Sequence, residues 1–298
     1  MRWPPAARCF SRRRYLRHLK RAEVRHSVRS REEGRLVLLA VIIGSLLSVA
    51  LWEFWRPRRR REFPALRRRL GNLGIWLLNI VLASFVFAPA ETFRPQLEAA
   101  LGIALPSWPV ANEWASLVAA FLLLDLLRYL VHRCKHAVPF LWRFHALHHS
   151  DPDVDVTTSV RLHPIEYLLN SGVLWITVIL LGIPAAVALT YAITAFTIEA
   201  VEHGNIRFPE WLERCLQPVL VTVNMHRIHH SVAFAQGSCN YATVFCVWDR
   251  LFNTYTRLTR AQHDSMVFGV PELPRRDCLK PSAMLLTPWR IQRAAAAE

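Results

Sequence analysis

The sequence predicts an all-α fold: an integral-membrane bundle of about four or five helices, hairpins among them, with a histidine-rich helical cap on its cytoplasmic side. Three observations predict it. The 298 residues are 53% hydrophobic with a mean hydropathy of +0.19, against about 45–50% apolar in ordinary soluble domains. The apolar residues collect into runs approaching the ~20 residues that cross a bilayer, as in LVLLAVIIGSLLSVALWEFW (36–55). The histidines collect as well, with nine of the 13 in four short clusters between residues 132 and 230.

Residues 1–35 form a basic N-terminal segment. It lacks a small-residue cleavage site after a short apolar core, so a cleaved signal peptide is not expected. Residues 36–113 read as N-terminal membrane helices and a loop. The run at 36–55 is long enough to span, whereas IWLLNIVLASFVFAPA (75–90) needs partners beside it. Residues 91–113, punctuated by Pro95, Pro106 and Pro109, read as a loop with one interfacial helix. Residues 114–257 open with WASLVAAFLLLDLLRYLVHR (114–133), apolar until Asp125 and Arg128 interrupt it. Segments 165–183 and 185–200, split by Gly182 and Pro184, read as a helical hairpin. Residues 258–298 are a polar C-terminal tail.

The net charge of +15 is concentrated in residues 1–35 and in RPRRRREFPALRRRL (56–70), which flank an apolar run. That distribution, with no zinc-finger, basic-zipper or RNA-recognition motif beside it, points to a membrane surface and away from nucleic acid. Basic loops stay cytoplasmic, so 56–70 places the chain after 133 and after 203 on one cytoplasmic face. If 36–55 spans fully, residues 1–35 lie on the opposite side against the same rule; a re-entrant or peripheral 36–55 would remove the conflict. Six cysteines (Cys9, Cys134, Cys215, Cys239, Cys246, Cys278) form no CxxC pair, which excludes a zinc ribbon or disulfide framework and reads as reduced structural thiols.

The histidines carry the chemistry. His132 and His136 in HRCKH are an i,i+4 pair on one helical face. HALHH sets His145 three and four residues before His148 and His149, and HRIHH repeats that spacing with His226, His229 and His230. His203 stands in EAVEHGN, and His163 in RLHP is a further candidate, as ligand or as support. His18, His26 and His263 are isolated and read as surface or satisfied core residues. Nine or ten imidazoles exceed one four-ligand zinc site; two octahedral metals with exchangeable positions would use that many. Imidazole suits Fe, Zn, Cu or Ni, so ligand type alone names no metal. A redox metal pair beside a membrane suggests oxygen chemistry on a lipid.

With these clusters on view, the sequence resembles the fatty acid hydroxylase / sterol desaturase superfamily of integral-membrane di-iron enzymes. The resemblance covers roughly Leu122 to Tyr255 and rests on an ordered set: DLLRYLVHRCKH, LWRFHALHHSDPDVDVTTSVRLHPIE, EHGN, VLVTVNMHRIHHS and NYATVFCVWDRLFNTY. It implies that 114–257 is a catalytic domain and that His132, His136, His145, His148, His149, His203, His226, His229 and His230 bind two iron ions. It further implies O2 as co-substrate, hydroxylation or desaturation of a sterol-like or fatty-acyl C–H bond, and electrons from a separate reductase, ferredoxin or cytochrome. No CxxCH or iron–sulfur cysteine spacing supplies a fused donor. The implied location is a bacterial inner membrane with the active site facing the cytoplasm. Val223 and Asn224 stand where the family commonly has Pro and an acid, and Ala242 and Asn253 where it commonly has Gly. None of these removes a ligand.

Supporting residues are expected near the ligands. Asp125 lies seven residues before His132, two turns back, and is placed to accept a ligand histidine's free N–H. Glu199, four before His203, is placed to orient or ligate it. Asn205, Glu166, Asn240 and Asp249 are further candidates, with helix capping or loop hydrogen bonding as the equal alternative. Arg133, Arg143 and Arg227 sit beside ligands, paired with carboxylates or solvated. Two other readings are a zinc membrane hydrolase and a catalytically altered metal- and lipid-binding protein. The first needs a glutamate where Arg133 stands, and the intact histidine set argues against the second.

Overall fold

A computed structural model describes residue 34 and residues 36–87, 90–109, 113–233 and 238–295. The basic segment 1–35, with His18, His26 and Cys9, lies outside the described residues apart from Gly34. The chain divides into two compact units, Met1–Gly44 and Ser45–Glu298. The first is described only by residue 34 and by 36–44, the opening of a long helix. The second holds everything discussed below.

The described residues are helical throughout, joined by loops, with only isolated bridges at Leu220–Phe245 and Ser231–Phe268. Five helices are long and apolar enough to cross a membrane: α1 (Leu36–Trp55), α2 (Ala65–Val86), α4 (Glu113–Ala137), α6 (Pro164–Leu181) and α7 (Ala185–Glu202). Between α2 and α4 lies α3 (Ala90–Leu101), a short helix with Pro95 inside it, where one interfacial helix was expected. Leu77, Phe85, Val118 and Ile176 are exposed on these helices, a surface suited to lipid and costly in water. The hairpin of α6 and α7 turns at Gly182, whose φ of 63° is left-handed. A Cβ there would stand 2.8 Å from the carbonyl oxygen of Pro106, so both the turn and the close approach require glycine.

Beyond α4 the chain breaks at Val138, which is extended, and restarts with Pro139 at the first position of α5 (Pro139–His149). After α7 come α8 (Glu210–Leu216) and α9 (Val223–His229), the latter capped by the Thr222 hydroxyl. Buried Ala120, Leu124, Tyr191 and Ala195 knit α4 to α7. Small residues allow the close helix approach that lets side chains from both converge at one end.

The arginine run at 56–70 departs from expectation. Only 56–64 is loop; α2 begins at Ala65, ten residues before the apolar run expected at 75, and carries Arg68 and Arg69 into the bundle while Arg67 stays exposed. The reason is a set of carboxylates far away in sequence. Arg68, fully buried, pairs with Asp151 at 2.6 Å and with Asp155, and Arg69 Nε reaches Asp155 at 2.8 Å. Glu53 of α1, also buried, pairs with Arg69 and accepts the backbone N–H groups of Val156 and Asn205 at 2.7 and 2.8 Å. Asn72 donates to Thr157 Oγ1 at 2.9 Å, and Arg161 donates to the Leu147 carbonyl at 2.9 Å and to Asn72 Oδ1 at 2.9 Å. Through these bonds α2 clamps the segment that follows α5, and so fixes the end of the helix that carries three histidines.

Breaking one side of such a buried network leaves uncompensated charge. Arg68→Met is expected to lower stability by about 3–5 kcal/mol, read as a large drop in the denaturation midpoint in detergent; an unchanged midpoint would show the pair dispensable. Acid acts on the same network. Burial pushes Asp155 up, but Arg68 and Arg69 outweigh it and hold the carboxyl at about 2. Its folded value is depressed, so its contribution is complete above its unfolded pKa of about 3.9 and is lost as pH falls through about 2.

Candidate metal centre

Helix geometry brings the histidines together in an arrangement that interleaves the two triplets. His132 and His136, one turn apart on α4, join His145 and His149 of α5 and His229 of α9 in a group of five. His148 of α5 joins His203, which caps α7, and His226 and His230 at the end of α9 in a group of four. Within each group, one nitrogen from every ring lies within 4.8 Å of the others. Each triplet therefore sends its i,i+4 pair to one group and its middle residue across to the other. The groups touch: the His149 and His230 rings stack at 4.5 Å between centroids. All the members are buried except His136, which is partly so.

The far nitrogens are held by the backbone and one carboxylate. His132 Nδ1 lies 2.7 Å from the Tyr241 carbonyl, His229 Nδ1 2.8 Å from that of Cys239, and His203 Nδ1 2.7 Å from that of Glu199. His145 Nδ1 lies 2.7 Å from Glu166 Oε1, which also accepts from Lys135 Nζ at 2.7 Å. A carbonyl only accepts, so these contacts place the proton on Nδ1 and leave Nε2 a bare lone pair. Yet the Nε2 atoms converge: His203 lies 3.1, 2.9 and 3.2 Å from those of His148, His226 and His230. One lone pair cannot accept from three rings at once. In the other group Nε2 of His136, His149 and His229 is buried with no hydrogen-bond partner among the described residues. Lone pairs aimed at a common point with no donor fit a cation at that point, and the residues present fit the metals that imidazole favours.

The charge state agrees. Burial holds His203 at about 4 and His229 at about 3. It also lowers His145, His148, His149, His226 and His230, the last four well below the ordinary imidazole value. Near neutral pH these rings are uncharged, which is the form that binds metal.

The loop after α9 is built to present its carbonyls. Asp249 accepts the backbone N–H groups of Tyr241 and Ala242 at 2.8 and 3.1 Å and the Thr254 hydroxyl at 2.7 Å. Asn240 donates to the carbonyls of Met225 and Thr256 at 3.1 and 3.0 Å. Asn240 and Asn253 are left-handed at φ 55° and 58°, a region asparagine tolerates far better than most residues. That accounts for Asn253 at a position where the resemblance implies glycine. Asn224 accepts from Arg58 at 2.6 Å, a bond that an acid in its place would also make.

Several supporting residues lie elsewhere than expected. His163 is in neither group: its Nδ1 caps α6 by accepting from Ile165 N–H at 3.2 Å, and its Nε2 is 3.2 Å from the Leu285 carbonyl. Asp125 makes no hydrogen bond to a histidine among the described residues; it accepts from Trp248 Nε1 at 2.8 Å, Phe245 N at 3.1 Å and Tyr191 OH at 3.3 Å, because the chain after α9 folds back over that face of α4. The Glu199 carboxylate pairs with Arg128, and only its carbonyl holds His203. Asn205 anchors the loop before α2 through both bonds of its side-chain amide to Arg59. Arg143 bonds Gln292 at 2.7 Å, and Arg227 lies over the Phe268 ring at 4.7 Å, with no ion pair to a carboxylate among the described residues. Glu202 is an addition: its carboxylate lies 3.5 Å from His226 Nδ1 and 3.9 Å from His203 Nδ1. Its position beside His203 in EAVEHGN was the available signal.

A cavity of about 40 Å³ opens onto both groups, lined by His132, His145, His148, His203 and His226. Its other walls carry Arg128, Asn170 and Glu199 together with Val131, Val173 and Leu174. That volume holds a few water-sized molecules.

Residues 117–254 match the family model described as fatty acid hydroxylase. An ornithine lipid hydroxylase of Rhizobium tropici is 30% identical over 224 residues, 72% of this chain and 66% of that protein. The alkylglycerol monooxygenase of Homo sapiens is 27% identical over 170 residues, 55% of this chain and 34% of its own length. Methylsterol monooxygenase 1-2 of Arabidopsis thaliana is 32% identical over 169 residues, 53% of this chain and 52% of its own. The chain thus spans from about a third to just under two thirds of these relatives. No solved structure matches.

Glu166 gives a direct test of how the group of five is held. Glu166→Gln is expected to weaken metal binding there on the order of 10–100-fold, the usual cost of losing a ligand's outer partner. Chelator competition followed by elemental analysis reads it as metal loss at a lower chelator concentration. A lowered denaturation midpoint of the metal-free variant would show that the substitution acts through general misfolding.

Proposed function

The chain belongs to the fatty acid hydroxylase family, and from that premise we propose that it is a membrane-bound di-iron oxidoreductase that hydroxylates a lipid C–H bond. The observation that carries the reading is the pair of buried histidine groups opening onto one small cavity beside apolar helices. We assign His132, His136, His145, His149 and His229 to one iron and His148, His203, His226 and His230 to the other. Bound there, the iron pair would supply the activation of O2 that attack on an unactivated carbon requires.

The chain's own residues do the rest. Carbonyls of Glu199, Cys239 and Tyr241, with Glu166, fix the tautomer of four rings so that their inward nitrogens are ready for metal. Arg128 and Glu199, paired across α4 and α7, set a polar wall opposite Val173 and Leu174. A lipid entering between the helices would lay its apolar part on the latter and its polar part toward the former. The narrow cavity excludes bulk water from the reacting carbon. The names of these relatives, hydroxylases or monooxygenases of lipids, favour hydroxylation over desaturation, and those of the first two a polar lipid as substrate. Electrons come from a separate reductase, ferredoxin or cytochrome, and the histidine face lies toward the cytoplasm of a bacterial inner membrane. A zinc hydrolase is not favoured, because Arg133 occupies the position where its glutamate base would stand.

Reconstitution with a bacterial lipid extract, a reducing system and isotopically labelled O2 tests this. One labelled oxygen atom gained by a lipid is the expected product, absent with His148→Ala or His229→Ala. Loss of two hydrogens without oxygen would reassign the chain as a desaturase. No change in any lipid by a metal-loaded protein would overturn the reading.

A further inference from the structure

Arg227 stands between His226 and Ile228 on α9, is only 1% exposed, and has no hydrogen-bond partner for Nε or Nη2 among the described residues. A guanidinium does not lose its proton in a protein, and a buried charge is costly unless it is paired. Its surroundings deepen the imbalance. Arg227 lines a cavity of about 180 Å³ together with Arg59, Arg60, Arg61 and Arg275. Arg59 and Arg227 share one aromatic wall, with their guanidinium carbons 5.3 and 4.7 Å from the centre of the Phe268 ring. The two acids at the cavity are already engaged. Glu62 pairs with Arg275, and Asp153 accepts the backbone N–H groups of Glu62 and Phe63 at 3.0 and 2.8 Å. Arg61 reaches Glu53 at 3.5 Å. Arg59, Arg60 and Arg227 are left with no carboxylate partner among the described residues.

The site is built, not a loose patch. Asn205 pins the arginine loop at both faces of Arg59, accepting its N–H at 3.1 Å and donating to its carbonyl at 2.9 Å, while the Asn205 carbonyl accepts from Arg58 N–H at 2.8 Å. No histidine of either group lines this cavity. Its volume, several times that of the cavity at the histidines, has room for a tetrahedral oxyanion. Planar guanidinium forks match phosphate oxygens in geometry and charge.

We propose that Arg59, Arg60 and Arg227 form a binding site for a phosphate group, distinct from the metal centre, which takes either a phospholipid headgroup at the membrane surface or a free phosphate. The test uses the full-length protein in maltoside micelles, which contain no phosphate. Thermal midpoints are measured against inorganic phosphate, against chloride at matched ionic strength, and in mixed micelles containing phosphatidylglycerol. Phosphate is expected to raise the midpoint saturably, as a ligand specific for the folded state does. The half-saturating concentration is expected to rise about tenfold or more in Arg59→Gln/Arg60→Gln, the scale of a lost charged hydrogen bond, and the response to vanish in Arg227→Gln. Stabilisation by phosphatidylglycerol alone assigns the site to a lipid headgroup, by phosphate alone to a soluble anion, and by both to the phosphate group itself. If neither exceeds chloride, or if the variants respond like the wild type, the proposal fails. Should Arg227→Gln not fold, the double variant at the more exposed positions decides.

Discussion

Nine imidazoles can share one buried space only while they are neutral, and each must keep its lone pair pointed inward. The rest of the structure answers that constraint. Protonation of a few rings would set like charges within 5 Å of one another, as the ring spacings show, with little water to screen them. Burial suppresses protonation. Acceptors behind the rings then decide which nitrogen keeps the hydrogen.

Those acceptors explain why the chain after α9 folds as it does. Tyr241 and Cys239 contribute nothing from their side chains to hold His132 and His229; their carbonyls do the work, and Asp249 sets the loop that aims them. Asp125 belongs to the same layer from the other side. By gathering Trp248, Phe245 and Tyr191 it ties α4 and α7 to that loop. A carboxylate buried in an apolar helix is expensive, and here the cost is met by three donors that fix the lid of the histidine space.

Much of this was legible in the sequence, and what was not has a physical reason. Helix geometry is local, so HRCKH, HALHH and HRIHH announced shared faces, and the hairpin at Gly182 announced itself through glycine and proline. The crossing of His148 and His229 between groups was not readable, because it depends on the angle at which α5 meets α9. Carbonyl anchors were invisible for a simpler reason: every residue has one. Asp125 was placed with His132 by its seven-residue spacing, but a shared helix face does not say which neighbour packs against it. Arg68 and Arg69 read as part of a basic loop at the membrane surface, since their partners Asp151 and Asp155 lie more than eighty residues away.

The crossing of the middle histidines links the two groups in a way that a simple stacking of two sites would not. Because α5 and α9 each feed both, an ion entering one group immobilises the very helices that frame the other. Part of the ordering cost of the second ion is then already met by the first. Loading becomes cooperative, and by reciprocity the loss of either ion loosens its neighbour. Chains in the membrane would be found mostly empty or mostly full, with the half-filled form a minor species.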